Sequence, residues 1–221
     1  LPFAKWRGTA SCAVVEGRLI FFFKKKNFKK NMPSTLLRVK NHLSDSEFFE
    51  LCQINDLRME RDKYGTILMM EPNGSETGNF NLEVGSEIRN WNKDTHHGKA
   101  FASSAGFMMP DTSIRSPDVS WIAKARWEKI ATDLRKKFAP IAPDFVVEIR
   151  SESDSLNELQ EKMRDYISNG VRLGWLIDRK EAVTYIYRLD GSLDTVAFNE
   201  TLSGEEVLVG FRLRILDLDL D

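Results

Sequence analysis

The chain is short of the residues that most often advertise a function. Its 221 residues include two cysteines, Cys12 and Cys52, and three histidines. The cysteines form neither a metal-ligand spacing nor a disulfide framework, so both are expected to be reduced, with Cys52 packed inside a helix. His42 stands alone, and His96-His97 falls in a polar turn where solvation is the simplest fate. No apolar run approaches the ~18 residues that would suggest a bilayer span. The best apolar patch near the start, Leu19–Phe23, is short and is followed rather than preceded by lysines, unlike a secretory signal. A cytoplasmic protein is the expectation.

Net charge is nearly absent as well, at −1, but this hides an asymmetry. Residues 1–31 hold eight Lys or Arg against the single acid Glu16, so the remainder is acidic by eight charges. An acidic body excludes strong non-specific duplex binding, which needs clustered cations, and leaves contacts that are local or metal-mediated. The stretch Phe21–Asn31 is of low complexity, and amphipathic patterning starts only after Met32-Pro33-Ser34. Residues 1–31 are therefore read as a basic leader outside the fold, with Met32 as the natural start and 32–221 as one domain. The alternative is a basic arm that touches nucleic acid or an anionic membrane.

What is present is a mixed alternation of helices and strands. Ser44-x-x-Glu47 has capping-box spacing ahead of a helix over 44–55. Leu57–Arg61 and Thr66–Met70 around Asp62-Lys63-Tyr64-Gly65 read as a hairpin, and Pro72-Asn73-Gly74-Ser75 reads as a turn. Gly78–Trp91 suits a helix. Lys99–Met109 suits two short strands, and Ser116–Ile122 a further strand entered through Pro117. Arg126–Lys137 reads as a short helix and a charged loop. Pro140 and Pro143 launch a strand over Asp144–Arg150. Asp154–Asn169 carries Leu156, Leu159, Met163, Tyr166 and Ile167 on one face, with Ser155-x-x-Glu158 as a cap and Gly170 as its close. Strands are expected at Leu173–Ile177, Val183–Arg188, Thr195–Phe198 and Phe211–Ile215. The order argues for an α/β (α+β) fold, a mixed sheet flanked by helices.

Within this frame, four residues suggest chemistry. Water attacks a phosphodiester slowly, because the anion repels nucleophiles and the alkoxide leaves poorly; a divalent cation relieves both problems. Mg²⁺ takes hard oxygen ligands, namely one or two carboxylates, a backbone carbonyl and waters. Asp118 and Glu148, each on a short strand, could supply the carboxylates, and Ile149 the carbonyl. Lys162 on the following helix could face the substrate's charge. Plainer readings compete. Asp118 suits a turn after proline, Glu148 a solvated strand face, and Lys162 a surface pair with Glu158 four residues earlier.

The ordered motifs Ser116-Pro117-Asp118-Val119-Ser120-Trp121, Ala142-Pro143-Asp144-Phe145-Val146-Val147-Glu148-Ile149-Arg150-Ser151, Gln160-x-Lys162-x-x-x-Tyr166 and Asn169–Asp178 resemble the Uma-two family. This is a family of restriction-endonuclease-like proteins in the PD-(D/E)XK nuclease superfamily, and the resemblance runs over about 43–217. It implies a restriction-endonuclease-like core with a central four- to five-stranded mixed sheet, a Mg²⁺ site (Mn²⁺ as substitute) and DNA as substrate. By motif, Asp118 and Glu148 take the places of the two strand acids. Arg150 stands where the superfamily has lysine, and arginine cannot act as a base at ordinary pH; Lys162 matches the lysine that family members carry on the next helix. Arg150, Ser151, Gln160 and Glu83 are further candidates for contacting substrate, and Glu152 replaces a usual proline. A homodimer is expected by analogy with enzymes that cut both strands. The rival is a catalytically silent nuclease-fold protein that binds nucleic acid or other proteins. That rival draws on Trp91, Trp121, Trp127 and Trp175 as exposed apolar candidates, and Arg135-Lys136-Lys137 offers a compact basic cluster for a phosphate backbone.

Overall fold

The computed structural model describes residues 10–15, 18–23, 38–40, 43–55, 58–70 and 74–218, with side chains from residue 43 onward except 54 and 55. The lysine cluster after Phe23, the expected start at Met32, His42, Leu57 and the Pro72-Asn73 part of the turn lie outside these residues. In chain order, β1 (Ala10–Val15) and β2 (Arg18–Phe23) pair as an antiparallel ribbon, and β3 (Arg38–Lys40) precedes α1 (Asp45–Asn55). Ser44 and Glu47 form the anticipated capping box at α1: the Ser44 amide donates to Glu47 Oε2 at 2.8 Å and the Glu47 amide to Ser44 Oγ at 3.3 Å. Cys52 is buried in this helix, where burial pushes its thiol up to about 11.

The hairpin follows as β4 (Met59–Arg61) and β5 (Thr66–Met69), its turn held by Asp62 Oδ1 accepting from the Tyr64 and Thr66 amides. Helix α2 (Ser75–Thr95) is longer at both ends than the apolar spacing predicts. It stops where His96 turns left-handed at φ 55° and returns its amide to Asn92. Then come β6 (Gly98–Ala102), β7 (Phe107–Met108), β8 (Ile114–Arg115), β9 (Val119–Ala123) and the single-turn α3 (Lys124–Trp127). The second half runs β10 (Phe145–Arg150), α4 (Leu156–Ser168), β11 (Leu173–Asp178), β12 (Val183–Arg188), β13 (Leu193–Ala197), β14 (Thr201–Ser203) and β15 (Arg212–Arg214). Ser155 occupies the cap position of α4 without a side-chain cap bond, and Gly170 at φ 93° lets the chain leave the helix. The sequence gives no signal for β14, a three-residue strand defined by its pairing with β15.

Two sheets carry the fold. The larger has the order β13-β12-β11-β10-β9-β6, with β10 and β11 parallel and the remaining pairs antiparallel. It is the expected mixed sheet, with six strands in place of four to five. The smaller has the order β3-β5-β4-β8-β7. Strand alternation sorts β10 between two layers. Phe145, Val147 and Ile149 join Phe80, Val84 and Ile88 of α2 in one core, while Val146 packs with Met163 and Tyr166 of α4 in the other. Glu148, two residues after Val146, therefore faces α4.

The tryptophans offered as surface contacts are core residues instead. Trp175 is fully buried, Trp121 and Trp127 are buried, and Trp91 packs against the core. Trp121 and Trp175 lie on strands covered from both sides, so their indoles fill the interior rather than face a partner. Arg135 is likewise tied down, lying over the Trp127 ring and donating to the Ile130 and Glu128 carbonyls. Among the described residues no helix is long and apolar enough to cross a membrane.

Candidate active site

The two sheets meet at a cleft of about 650 Å³. Its origin lies in where β9 and β10 part. Their ladder ends at Val147 opposite Val119, and the next free amide, that of Ile149, is taken by the side chain of Asp118, whose Oδ2 accepts it at 2.9 Å. Pro117 lacks an amide to continue the ladder, so Asp118 sits one residue before the strand rather than within it. Asn81 of α2 donates to Asp118 Oδ1 at 3.0 Å, while the Asn81 amide oxygen is buried without a hydrogen-bond partner.

Glu148 is 4% exposed beneath α4. Its Oε1 accepts from Tyr166 Oη at 2.8 Å and lies 2.9 Å from Lys162 Nζ. Oε2 has no donor among the described residues. The one-turn spacing of Lys162 and Tyr166 on α4 brings both to the same carboxylate oxygen. Lys162 turns inward, away from the surface pairing that its spacing to Glu158 suggests.

A third acid was not anticipated. Glu60, on the three-residue β4 of the smaller sheet, is 3% exposed and lies 3.0 Å from Lys162 Nζ through Oε1. The same oxygen accepts the Ser116 amide at 2.8 Å, and Oε2 pairs with Arg115 Nη1 at 3.2 Å. Arg115 reaches on to Asp165 Oδ2 at 3.3 Å, and Asp165 Oδ1 pairs with Lys63 at 3.3 Å. Glu60 was hidden because Glu60-Arg61-Asp62-Lys63 reads as a solvated charged turn. The available signal was two charged residues closing a strand that must pair on both edges.

Burial and charge set the proton affinities. Burial, with help from the Asp118 and Glu60 charges and against the pull of Lys162, pushes Glu148 up to about 7. Burial also raises Asp118, although the Ile149 amide and Lys162 oppose it. For Glu60 burial acts upward, but Lys162 and Arg115 outweigh it and hold the carboxyl below its ordinary value. Burial alone would lower Lys162, yet Glu148 and Glu60 together keep its amine well above the usual lysine value. Burial and the same two carboxylates raise the Tyr166 hydroxyl.

Of the residues singled out from the sequence, Asp118, Glu148, Ile149, Ser151 and Lys162 line this cleft. Arg150, Gln160 and Glu83 are not among its lining residues. Arg150 pairs instead with the fully buried Asp178 at 2.7 Å, its register partner on β11. The cleft wall carries ten carboxylate side chains against Lys63, Arg115 and Lys162. Among the described residues no group of three or more His, Cys, Asp or Glu side chains is arranged to hold a metal ion. A cation here would therefore rest on two carboxylates and main-chain oxygen.

Comparison with known proteins gives this arrangement a context. The solved structures include one from Anabaena variabilis ATCC 29413, described as "a putative nuclease belonging to DUF820". It is 21% identical, with a TM-score of 0.68 over 80% of this chain and 97% of that one, a likeness of fold. A search of curated proteins finds no match. The profile of the Uma2 family, described as "Putative restriction endonuclease", matches residues 45–218, which takes in the larger sheet, the smaller sheet apart from β3, and every side chain of the cleft named above. The chain belongs to the Uma2 family of restriction-endonuclease-like proteins.

Proposed function

We propose that this protein is a divalent-metal-dependent DNA endonuclease that hydrolyses phosphodiester bonds at the cleft between its two sheets. The observation that carries the reading is the convergence of Asp118, just ahead of β9, and Glu148 of the adjacent β10 with Lys162 from the covering helix, the amine 2.9 Å from the Glu148 carboxylate. The donor set fits Mg²⁺. Asp118 and Glu148 are two carboxylates that line the same cleft, and Glu148 Oε2 is an acceptor without a donor there among the described residues. Asp118, Glu148 and the Ile149 carbonyl would hold the ion, with waters completing its shell. When bound, such an ion neutralises phosphate charge and lowers the pKa of water.

The protein's own groups supply the rest. The Ile149 amide and Asn81 hold Asp118 in one orientation, and Tyr166 fixes Glu148 through Oε1 alone, keeping Oε2 for ligation. Lys162 retains its proton, so its part is electrostatic: it offsets the charge that builds on the phosphoryl oxygens rather than abstracting a proton. With ten acids on the wall, substrate approach would depend on the cation and on Lys63, Arg115 and Lys162. The described residues of each chain form one such cleft, so cutting both strands calls for a homodimer.

Supercoiled plasmid incubated with Mg²⁺ or Mn²⁺ tests the reading. Nicking is expected from the wild type and should be lost in Asp118→Ala, Glu148→Ala and Lys162→Ala. Equal nicking by all three variants would assign the activity to a contaminant. Calorimetric Mn²⁺ binding that is indifferent to Glu148 would leave a nuclease-fold binding module in place of an enzyme.

A further inference from the structure

We infer that Glu60 is a positioning residue: it serves as the standing counter-ion of Lys162 and keeps that ammonium over the cleft while Glu148 engages a metal ion. The inference rests on the nuclease reading above and adds a residue that the two-acid, one-lysine pattern does not contain.

The geometry is specific. Lys162 Nζ lies between two carboxylate oxygens, 2.9 Å from Glu148 Oε1 and 3.0 Å from Glu60 Oε1. The two acids differ in what else holds them. Glu148 presents an unclaimed Oε2 to the cleft, whereas Glu60 has both oxygens engaged, by the Ser116 amide and by Arg115. Arg115 is itself braced by Asp165. Glu60 is thus engaged at both oxygens, while Glu148 is engaged at one.

A divalent ion on Glu148 would draw charge from that carboxylate and repel the neighbouring ammonium. Lysine is a point charge on a flexible four-carbon stem, and the cleft wall offers it other acids, including Asp154 and Glu161. Without Glu60, nothing rigid would return Nζ to the reacting centre. With Glu60, a pair already formed and only 14% exposed at the lysine persists after Glu148 is committed. The arrangement also joins the sheets, since Glu60 belongs to β4 and Lys162 to the helix on β10 and β11. Burying such an ion pair costs solvation that an apolar pair would not. Its recurrence on both Glu60 oxygens is accounted for by holding a charge in place.

The experiment combines acylation of Lys162, read by peptide mass spectrometry, with Mn²⁺ calorimetry and steady-state plasmid cleavage. In the wild type, Lys162 should stay protected with and without Mn²⁺. In Glu60→Gln, Mn²⁺ should bind as before, but Lys162 should become several-fold more reactive once the ion is present. The kcat should fall by about 10²-fold, the scale of a misplaced catalytic group, with KM unchanged and partial recovery in Glu60→Asp. Unchanged Lys162 labelling in Glu60→Gln would overturn the proposal, as would a lower melting temperature with normal kcat per folded molecule. Should Glu60→Gln not fold, the wild type decides alone: Lys162 labelling that rises on adding Mn²⁺ would refute a Glu60 anchor. If the wild type cuts no DNA yet labels as described, the nuclease reading fails and the Glu60 anchor stands.

Discussion

Glu148 concentrates the chemistry of the site in a single proton. Its ordinary carboxyl value is 4.5, and burial raises it to about 7 in the folded protein. Between those values the folded chain keeps a proton that the unfolded chain has released. Its contribution to stability is therefore full below about 4.5 and is lost as pH climbs through about 7. Glu60, held below its ordinary value, has the opposite sign and loses its contribution only as pH falls further. Thermal midpoints of metal-free protein should fall with rising pH across this window, and Glu148→Gln should flatten the slope. If Glu148 ligates Mn²⁺ as proposed, the ion displaces the same proton, so its affinity should rise with pH through about 7. Calorimetry in buffers of different ionisation enthalpy would count the proton released.

Among elements, α4 carries the most consequence, because it delivers Lys162 and Tyr166 to a carboxylate on the sheet beneath. It sits close there: a Cβ on Gly174 of β11 would come 2.5 Å from Met163 Cε. Gly174→Ala can be met by swinging the flexible Met163 aside. Gly174→Val overfills the layer and should destabilise by about 1–3 kcal/mol. It should also lift the helix, cutting plasmid nicking while leaving Mn²⁺ affinity intact, since the two acids lie on or beside strands. Melting curves and calorimetry on one preparation separate these outcomes. The periodicity of α4 and the apolar run of β10 were legible because each element repeats its own signal over many residues. The same signals told where Glu148 and Lys162 fall but not that β9 stops at Val119 and hands an amide to Asp118. Glu60 was illegible for a related reason: a three-residue strand has no period, and its burial is decided by Arg115 and Lys162 arriving from elsewhere. The tryptophans misled in the other direction, since a large indole in a short strand reads alike whether its neighbours cover it or not.

For the molecule as a whole, the described residues carry one such cleft, which on the proposed reading limits what a single copy can do to a duplex. A homodimer should sediment at twice the chain mass and convert supercoiled plasmid to linear product within one encounter. A monomer that yields linear product directly would contradict the pairing. The acid-rich wall adds a second expectation at this scale: without divalent ions, plasmid binding should be feeble and only weakly dependent on salt.

The Arg150–Asp178 pair bears on the source of the amine in the proposed site. Asp178 is fully buried opposite Arg150 and holds its guanidinium at 2.7 Å, and Arg150 is not among the residues that line the cleft. On the proposed reading, acids rooted in the sheet and an amine borne by the overlying helix would form a two-part mechanism with a seam between the parts. A small molecule wedged into that seam should then abolish plasmid nicking while leaving the melting temperature intact.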